Sequence, residues 1–399
     1  MNFIKNIAIN ILSQSIFIIV QQLLLFPHFE QILGADAFGK LLLFNAMISV
    51  FSITLAASFT NMFEKHYHTN NNEDEKLINF YHLLRILILY HIIGLLPMVL
   101  VIYYIYHSFM LGSLLFILIL ITSLRFYLFV MYRVQRKFNK ILKFNLIIGT
   151  FYSVLYFIEF KSVEYILLGF IAAELMVLII IIKSMNIHID KIIHLKGNIY
   201  TRSESLMFLI SGLSGAMLNY ADRFIIGIFL GQISITLFYV ITLPTKLLLF
   251  PINMASNVIM SYLARYKRLT SNLRKLVLIN LPVIFFGVSI VTYFVGQLII
   301  GMLYPKYLNQ ITDIYPIVTV TFSIICLDVV LRGFLVKFYS TRLKTLIEFI
   351  TLISFVICSS VLLYITNDLY YFALSQLIVF SLKVLVQIII FTKLEYEEE

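Results

Sequence analysis

Ten charged side chains lie inside stretches of the 399-residue chain that are otherwise apolar. A charge within a bilayer is costly, so such residues usually pair with each other or line the path of a substrate or an ion. The six cations are Arg85, Arg125, Arg223, Lys246, Arg332 and Lys383, and the four carboxylates are Glu174, Asp222, Asp328 and Glu348. The set has a positive excess, and its members could bind an anion, carry a coupling proton or form structural ion pairs.

Lys246 is the strongest candidate for a cation that faces a substrate. It lies about ten residues into a predicted helix, between Pro244 and Pro251. Proline frees backbone carbonyls, and freed carbonyls at membrane depth are tolerated only beside protein or water. We therefore predict that Lys246 faces a polar cavity.

The carboxylates leave several roles open. Asp222 and Arg223 are adjacent, so their side chains diverge by about 100° on a helix and each should have another partner. A structural ion pair and a substrate role both fit them. Glu174 lies near the middle of a predicted helix, where it could carry a proton or form a salt bridge. Asp328 precedes Arg332 by four residues, which predicts a self-neutralising pair within one helix.

Polar residues also repeat at helical spacing on one face of several predicted helices. Either they form hydrogen bonds between helices, or they line a cavity. These polar stripes comprise Asn10, Gln14 and Gln21; Asn45, Ser49 and Ser52; Ser211, Gly215, Asn219 and Asp222; Thr242, Lys246, Asn253 and Asn257; and Gln376, Lys383 and Gln387.

The remainder of the chain is strongly apolar. Hydrophobic residues make up 61% and charged residues 13%, whereas soluble domains have about 25% charged residues. A spanning helix needs about 20 apolar residues, so membrane segments account for most of the length. The composition predicts an all-α integral membrane protein, and no metal, ATP or cofactor motif interrupts it.

The apolar runs predict twelve spanning helices in two six-helix lobes. The first lobe is residues 1–183, a cytoplasmic linker follows at 184–204, and the second lobe is 205–399. The predicted spans are 7–28, 41–63, 79–105, 110–132, 144–160, 163–183, 205–226, 236–262, 275–300, 313–336, 345–365 and 370–391.

A weak internal repeat supports this division. A Leu-Gly turn that ends the first span, at Gly34, recurs after the seventh span at Gly231, 197 residues later. Two lobes related by a pseudo-twofold axis along the membrane normal would explain the recurrence, and such designs place substrate sites between the repeats.

The loops indicate the orientation. With the N-terminus inside, the cytoplasmic loops hold 21 Lys and Arg residues and the opposite side holds 3. Cytoplasmic loops are enriched in Lys and Arg, so we predict that both termini are cytoplasmic. Topology and anionic lipids then account for the net charge of +10, and no nucleic-acid partner is needed.

Several motifs resemble those of a known transporter family. They are LNYADRFIIGIFLG from Leu218, FPINMA from Phe250, LGADAFGKL from Leu33 and RVQRKFNK from Arg133. Together they resemble the polysaccharide and O-antigen flippases of the multidrug/oligosaccharidyl-lipid/polysaccharide exporter superfamily. These flippases often have Gly before the aromatic residue of the eighth span, where this chain has the sequence TLFY.

The resemblance implies a flippase, not an enzyme, in the bacterial inner membrane. It would move an undecaprenyl-diphosphate-linked oligosaccharide to the outer leaflet, with membrane lipids, a polysaccharide polymerase and a chain-length regulator as further partners. Cations would attract the diphosphate and amides would bind the sugars, while Glu174 or Asp222 would carry any coupling proton. The implied substrate residues are Lys246, Arg223, Arg85, Arg125, Asn219, Asn253, Gln14, Asn45 and Lys383.

Two other functions remain open at this stage. A drug or metabolite exporter of the same superfamily would have the same topology. An integral-membrane polymerase acting on lipid-linked sugars is less favoured, because such enzymes carry long charged outer loops and the outer loops here are short and nearly uncharged.

Overall fold

The computed structural model describes residues 9, 11–13, 15–67, 73–187, 202–263, 269–338, 341–393 and 396–397. These residues are almost entirely helical, as the composition predicted. The exception is a two-residue parallel pairing of Leu269–Thr270 (β1) with Tyr396–Glu397 (β2).

Twelve α-helices follow one another along the described chain. The first six are α1 (Phe26–Ile48), α2 (Thr54–Tyr67), α3 (Glu73–Tyr106), α4 (Phe109–Val134), α5 (Phe138–Val154) and α6 (Val163–Met185). The next six are α7 (Arg202–Phe229), α8 (Gln232–Leu263), α9 (Ser271–Leu303), α10 (Tyr315–Phe338), α11 (Thr341–Thr366) and α12 (Leu369–Thr392). Short 3-10 helices lie at Leu155–Phe157 and Pro305–Gln310.

The chain is a multi-pass membrane protein. Ten of its described stretches are long and apolar enough to cross a bilayer. One of them, Ile11–Tyr67, is 57 residues long and covers most of the first predicted span and all of the second. The predicted seventh span, α7, is not among the ten, and it carries the polar residues Asn219, Asp222 and Arg223. The ten stretches are therefore compatible with the twelve predicted spans.

Backbone conformation at two glycines confirms the predicted Leu-Gly turns. Gly34 has φ 78° and ψ 170°, and this non-helical residue divides α1 into two helical parts at a kink. Gly231, between α7 and α8, has φ 82°. Side-chain-bearing residues rarely adopt these angles, so glycine is required where one helix must end and the next begin.

The first compact unit runs from Met1 to Tyr220. Its central helix is α4, which packs against α2, α3 and α6. Two π-helical segments, Ile19–Leu25 and Ser49–Ile53, interrupt the predicted first and second spans. π-Helical turns are rare and occur frequently at functional sites. The polar side chains of these two segments are therefore candidates for a functional site.

The second compact unit runs from Ala221 to Glu399. Its central helix is α10, which packs against α8, α9 and α12, while α12 also packs against α11. Leu331 and Phe334 of α10 contribute to an apolar cluster with Phe391 of α12. The predicted linker, 184–204, lies largely outside the described residues, so that boundary and the pseudo-twofold axis remain predictions.

Candidate functional site

A buried ion pair joins α4 to α6 in the first unit. Arg125 donates from Nε to Glu174 Oε2 at 2.5 Å and from Nη2 to Oε1 at 3.0 Å. The exposed fractions of the two side chains are only 2% and 1%. Two parallel charge-assisted hydrogen bonds fix the geometry as well as neutralising both charges. The predicted substrate cation Arg125 and the predicted proton carrier Glu174 are therefore bound to each other.

This pair lines a cavity of about 50 Å³. Gln21, from the first π-segment, donates to Asn45 Oδ1 at 3.0 Å on the cavity wall. Ser49 and Ser52 of the second π-segment also line the cavity. The volume accommodates a few water molecules but not a sugar. Apolar residues make up much of the remaining lining, and both π-segments contribute polar side chains to it.

A second ion pair joins α7 to α8 in the second unit. Lys246 Nζ donates to Asp222 Oδ2 at 3.2 Å. Asp222 Oδ1 accepts from the Arg223 backbone N–H at 2.9 Å, and the Arg223 guanidinium lies 5.5 Å from the centre of the Tyr239 ring. Asp222 and Arg223 thus have different side-chain partners, as their adjacent positions predicted.

The two charges of this second pair differ in accessibility. The Lys246 side chain is 34% exposed, whereas that of Asp222 is 7% exposed. The carboxylate is covered, whereas the Lys246 side chain keeps about a third of its surface uncovered. Lys246 therefore combines a counter-charge with a partly exposed side chain, which Arg125 does not.

The predicted pairing of Asp328 with Arg332 is wrong. Asp328 Oδ2 accepts from Lys383 Nζ at 2.9 Å, and its Oδ1 accepts from Gln387 Nε2 at 2.6 Å. Arg332 Nη1 instead lies 3.8 Å from Glu348 Oε1. The spacing rule considers a single helix, whereas α12 presents two donors one turn apart to Asp328. Lys383, a predicted substrate residue, is buried in this pair.

The other predicted site residues lie in varied surroundings. Asn253 Oδ1 accepts from Arg332 Nη2 at 3.5 Å, and Asn219 donates to Gly215 O within its own helix at 3.1 Å. Arg85 is half-buried on α3, and Gln14 lies outside the described residues. Among the described residues, no group of three or more His, Cys, Asp or Glu residues could hold a metal ion.

Sequence reasoning missed a polar contact centred on His91. This fully buried side chain of α3 lies 2.7 Å through Nδ1 from Leu87 O and 2.6 Å through Nε2 from Ser123 Oγ of α4. Ser123 also lies 3.4 Å from the carbonyl of Ser52 in the second π-segment. A histidine in the middle of an apolar helix was the available signal, but its partner Ser123 is 32 residues away in sequence.

No protein-family model and no curated protein sequence matches this chain. Solved structures do match over nearly its full length. The inward-facing conformation of a multidrug resistance MATE family transporter of the MOP superfamily has a TM-score of 0.71 at 10% identity, covering 96% of this chain and 97% of that one. The outward-facing conformation of such a transporter has a TM-score of 0.63 at 13% identity, covering 97% and 94%.

A MOP superfamily transporter from Pyrococcus furiosus has a TM-score of 0.63 at 12% identity, covering 97% of this chain and 95% of that one. Its description states that reverse polarity of the binding pocket suggests a different function. Likeness at this level of identity shows the fold alone. The chain therefore has the fold of the MATE transporters.

Proposed function

We propose that this protein is a flippase for an undecaprenyl-diphosphate-linked oligosaccharide in the bacterial inner membrane. The observation that carries the proposal is the partly exposed side chain of Lys246, paired with the buried carboxylate of Asp222. The transporter fold and the motif resemblance support it. Both termini would be cytoplasmic, and polymerase and chain-length regulator proteins would act on the product.

The chemistry of the substrate fits this arrangement. A diphosphate that crosses about 30 Å of hydrocarbon needs a compensating cation along its path. Lysine supplies a compact charge on a flexible stem that can follow a moving phosphate. Asp222 compensates Lys246 when no ligand is bound, so the cation is not left alone within the membrane. Exchange of one anionic partner for another keeps binding reversible.

An exporter of small organic molecules is the second candidate. Two of the similar structures are described as multidrug resistance transporters, and the motif resemblance places flippases in the same superfamily as exporters. The accessible charge of Lys246 would favour anionic or neutral compounds over organic cations, because like charges repel. The exporter would change drug resistance and leave the surface polysaccharide unchanged.

Gene deletion and complementation in the host would separate these functions. The deletion strain should lose surface polysaccharide and should hold complete lipid-linked repeat units that an impermeant glycosidase cannot reach. Wild-type protein and Lys393→Ala should both restore the polysaccharide, because Lys393 is an exposed lysine at the end of α12. Lys246→Ala should not restore it, and Lys246→Arg should restore it partly because the charge is kept.

Folded protein levels in the membrane would be measured for every variant. Full restoration by Lys246→Ala would remove Lys246 from the mechanism. Normal polysaccharide in the deletion strain, together with altered drug resistance, would favour the exporter. Repeat units that reach the outer leaflet but stay unpolymerised in the deletion strain would instead indicate a polymerase.

A further inference from the structure

Two partly exposed cations flank another buried carboxylate in the second unit. Glu348 of α11 lies 2.9 Å through Oε2 from Lys344 Nζ and 3.8 Å through Oε1 from Arg332 Nη1. The exposed fractions are 4% for Glu348, 26% for Lys344 and 36% for Arg332. Among the described side chains, two accessible cations thus share one covered carboxylate. The cluster has a net positive charge on its accessible side.

This cluster and the Lys246 pair lie along the same side of α8. Arg332 Nη2 donates to Asn253 Oδ1 at 3.5 Å, and Asn253 follows Lys246 by seven residues. Seven residues amount to nearly two turns, so both positions share one helix face and are separated by about 10 Å. The two cationic sites therefore lie one after the other along one face of α8.

The predicted orientation indicates which of the two cationic sites is closer to the cytoplasm. Arg332 is close to the end of α10 and Lys344 is close to the start of α11, and the turn between these helices is predicted to be cytoplasmic. Lys246 is near the middle of α8. The Arg332 cluster is then nearer the inner-leaflet headgroups, and Lys246 is deeper in the membrane.

We propose that Arg332, Lys344 and Asn253 form an inner-leaflet binding site for a phosphate-bearing lipid headgroup. The flippase substrate would bind at this site before it reaches Lys246, and this role rests on the proposed function. The planar guanidinium can bind two phosphate oxygens at once, and the ammonium adds a point charge. The Asn253 amide nitrogen can donate a further hydrogen bond. The same chemistry would accept a resident anionic phospholipid, so the test must distinguish the two occupants.

A purely structural network is the competing explanation, in which the three charges only hold α8, α10 and α11 together. The variant Glu348→Gln distinguishes the headgroup site from the structural network. It removes the carboxylate charge with little change of shape and leaves both cations uncompensated. A headgroup site should then bind anions more tightly, whereas a structural network should only lose stability.

The experiment uses the purified full-length chain in nanodiscs of neutral phosphatidylcholine, with undecaprenyl diphosphate as the probe. Arg332→Ala and Lys344→Ala should each weaken binding about tenfold, which corresponds to one charge-assisted hydrogen bond. Glu348→Gln should tighten binding several-fold, and Lys393→Ala should leave it unchanged. Thermal unfolding of each variant would confirm that the protein remains folded.

Competition by phosphatidylglycerol would identify the occupant. Displacement only at a large excess would assign the site to the diphosphate-linked lipid, whereas equal competition would assign it to a resident phospholipid. Wild-type binding by both Arg332→Ala and Lys344→Ala, or weaker binding by Glu348→Gln, would overturn the headgroup site. Failure of the flippase function would be seen separately, as normal polysaccharide in the deletion strain.

Discussion

The Arg125–Glu174 pair allows a quantitative prediction about stability. At the 3.0 Å between Nη2 and Oε1, Coulomb attraction at an effective dielectric constant of about 20 is about 5.5 kcal/mol. Both side chains are almost completely buried. Removal of one partner leaves the other charge uncompensated, and such changes cost about 3–5 kcal/mol. We expect Arg125→Met and Glu174→Gln each to lower the free energy of unfolding by this amount.

The double variant should behave differently from the sum of its parts. Replacement of both charges by neutral side chains of similar size is often neutral or stabilising. Arg125→Met/Glu174→Gln should therefore be more stable than either single variant and within about 1–2 kcal/mol of wild type. Tyr152→Phe is the matched control, because it removes only the 3.4 Å hydrogen bond to Glu174 Oε1 and should cost about 1 kcal/mol or less.

The measurement is reversible unfolding of the purified protein in mixed detergent micelles, for the wild type and all four variants. Surface polysaccharide in the complemented deletion strain would be measured in parallel. We expect the double variant to restore the polysaccharide. The role of the pair is structural, since it holds α4 against α6, and two neutral side chains of similar size can replace it there. Additive losses in the double variant, or single losses below about 1 kcal/mol, would refute the argument that these residues compensate each other in a buried site.

Two further predictions concern the fold. Gly34→Ala should lower the free energy of unfolding by about 1–3 kcal/mol, because φ 78° with ψ 170° is nearly exclusive to glycine; Gly94→Ala, within α3 and with open space at its Cβ position, should be neutral or slightly stabilising. Equal melting temperatures for the two variants would contradict the backbone argument. Lys383→Met should destabilise the second unit by about 3–5 kcal/mol, and Asp328→Asn added to it should recover most of the loss; no recovery in a thermal melt would mean that the two charges are not partners.

Hydropathy predicted the helices because burial in lipid imposes a length and a composition on every span. The Leu-Gly turns at Gly34 and Gly231 were also predictable from local sequence, because glycine is the residue that most readily adopts a positive φ. The π-segments were not predicted, since Ile19–Leu25 and Ser49–Ile53 read as ordinary apolar helix. An extra residue per turn depends on how neighbouring helices pack, and a single sequence does not contain that information.

The charged residues were recognised from the sequence, but their partners were not. Rarity inside the membrane marks a charge as important, and this signal is local. The partner depends on which helices become neighbours, so Glu174 binds a residue 49 positions earlier and Asp328 binds one 55 positions later. The spacing rule within one helix therefore assigned Asp328 to Arg332. The covered carboxylates beside accessible cations were visible only in the structure.

Reconstitution tests the central claim most directly. Purified protein would be placed in liposomes that contain a lipid-linked oligosaccharide on an undecaprenyl diphosphate carrier, and an impermeant glycosidase would report the accessible fraction over time. The account predicts that wild-type protein lets the enzyme reach the whole pool, while Lys246→Ala behaves like protein-free liposomes. Equal accessibility with and without wild-type protein would contradict the proposed function, and equal rates for Lys246→Ala and wild type would contradict the role of Lys246.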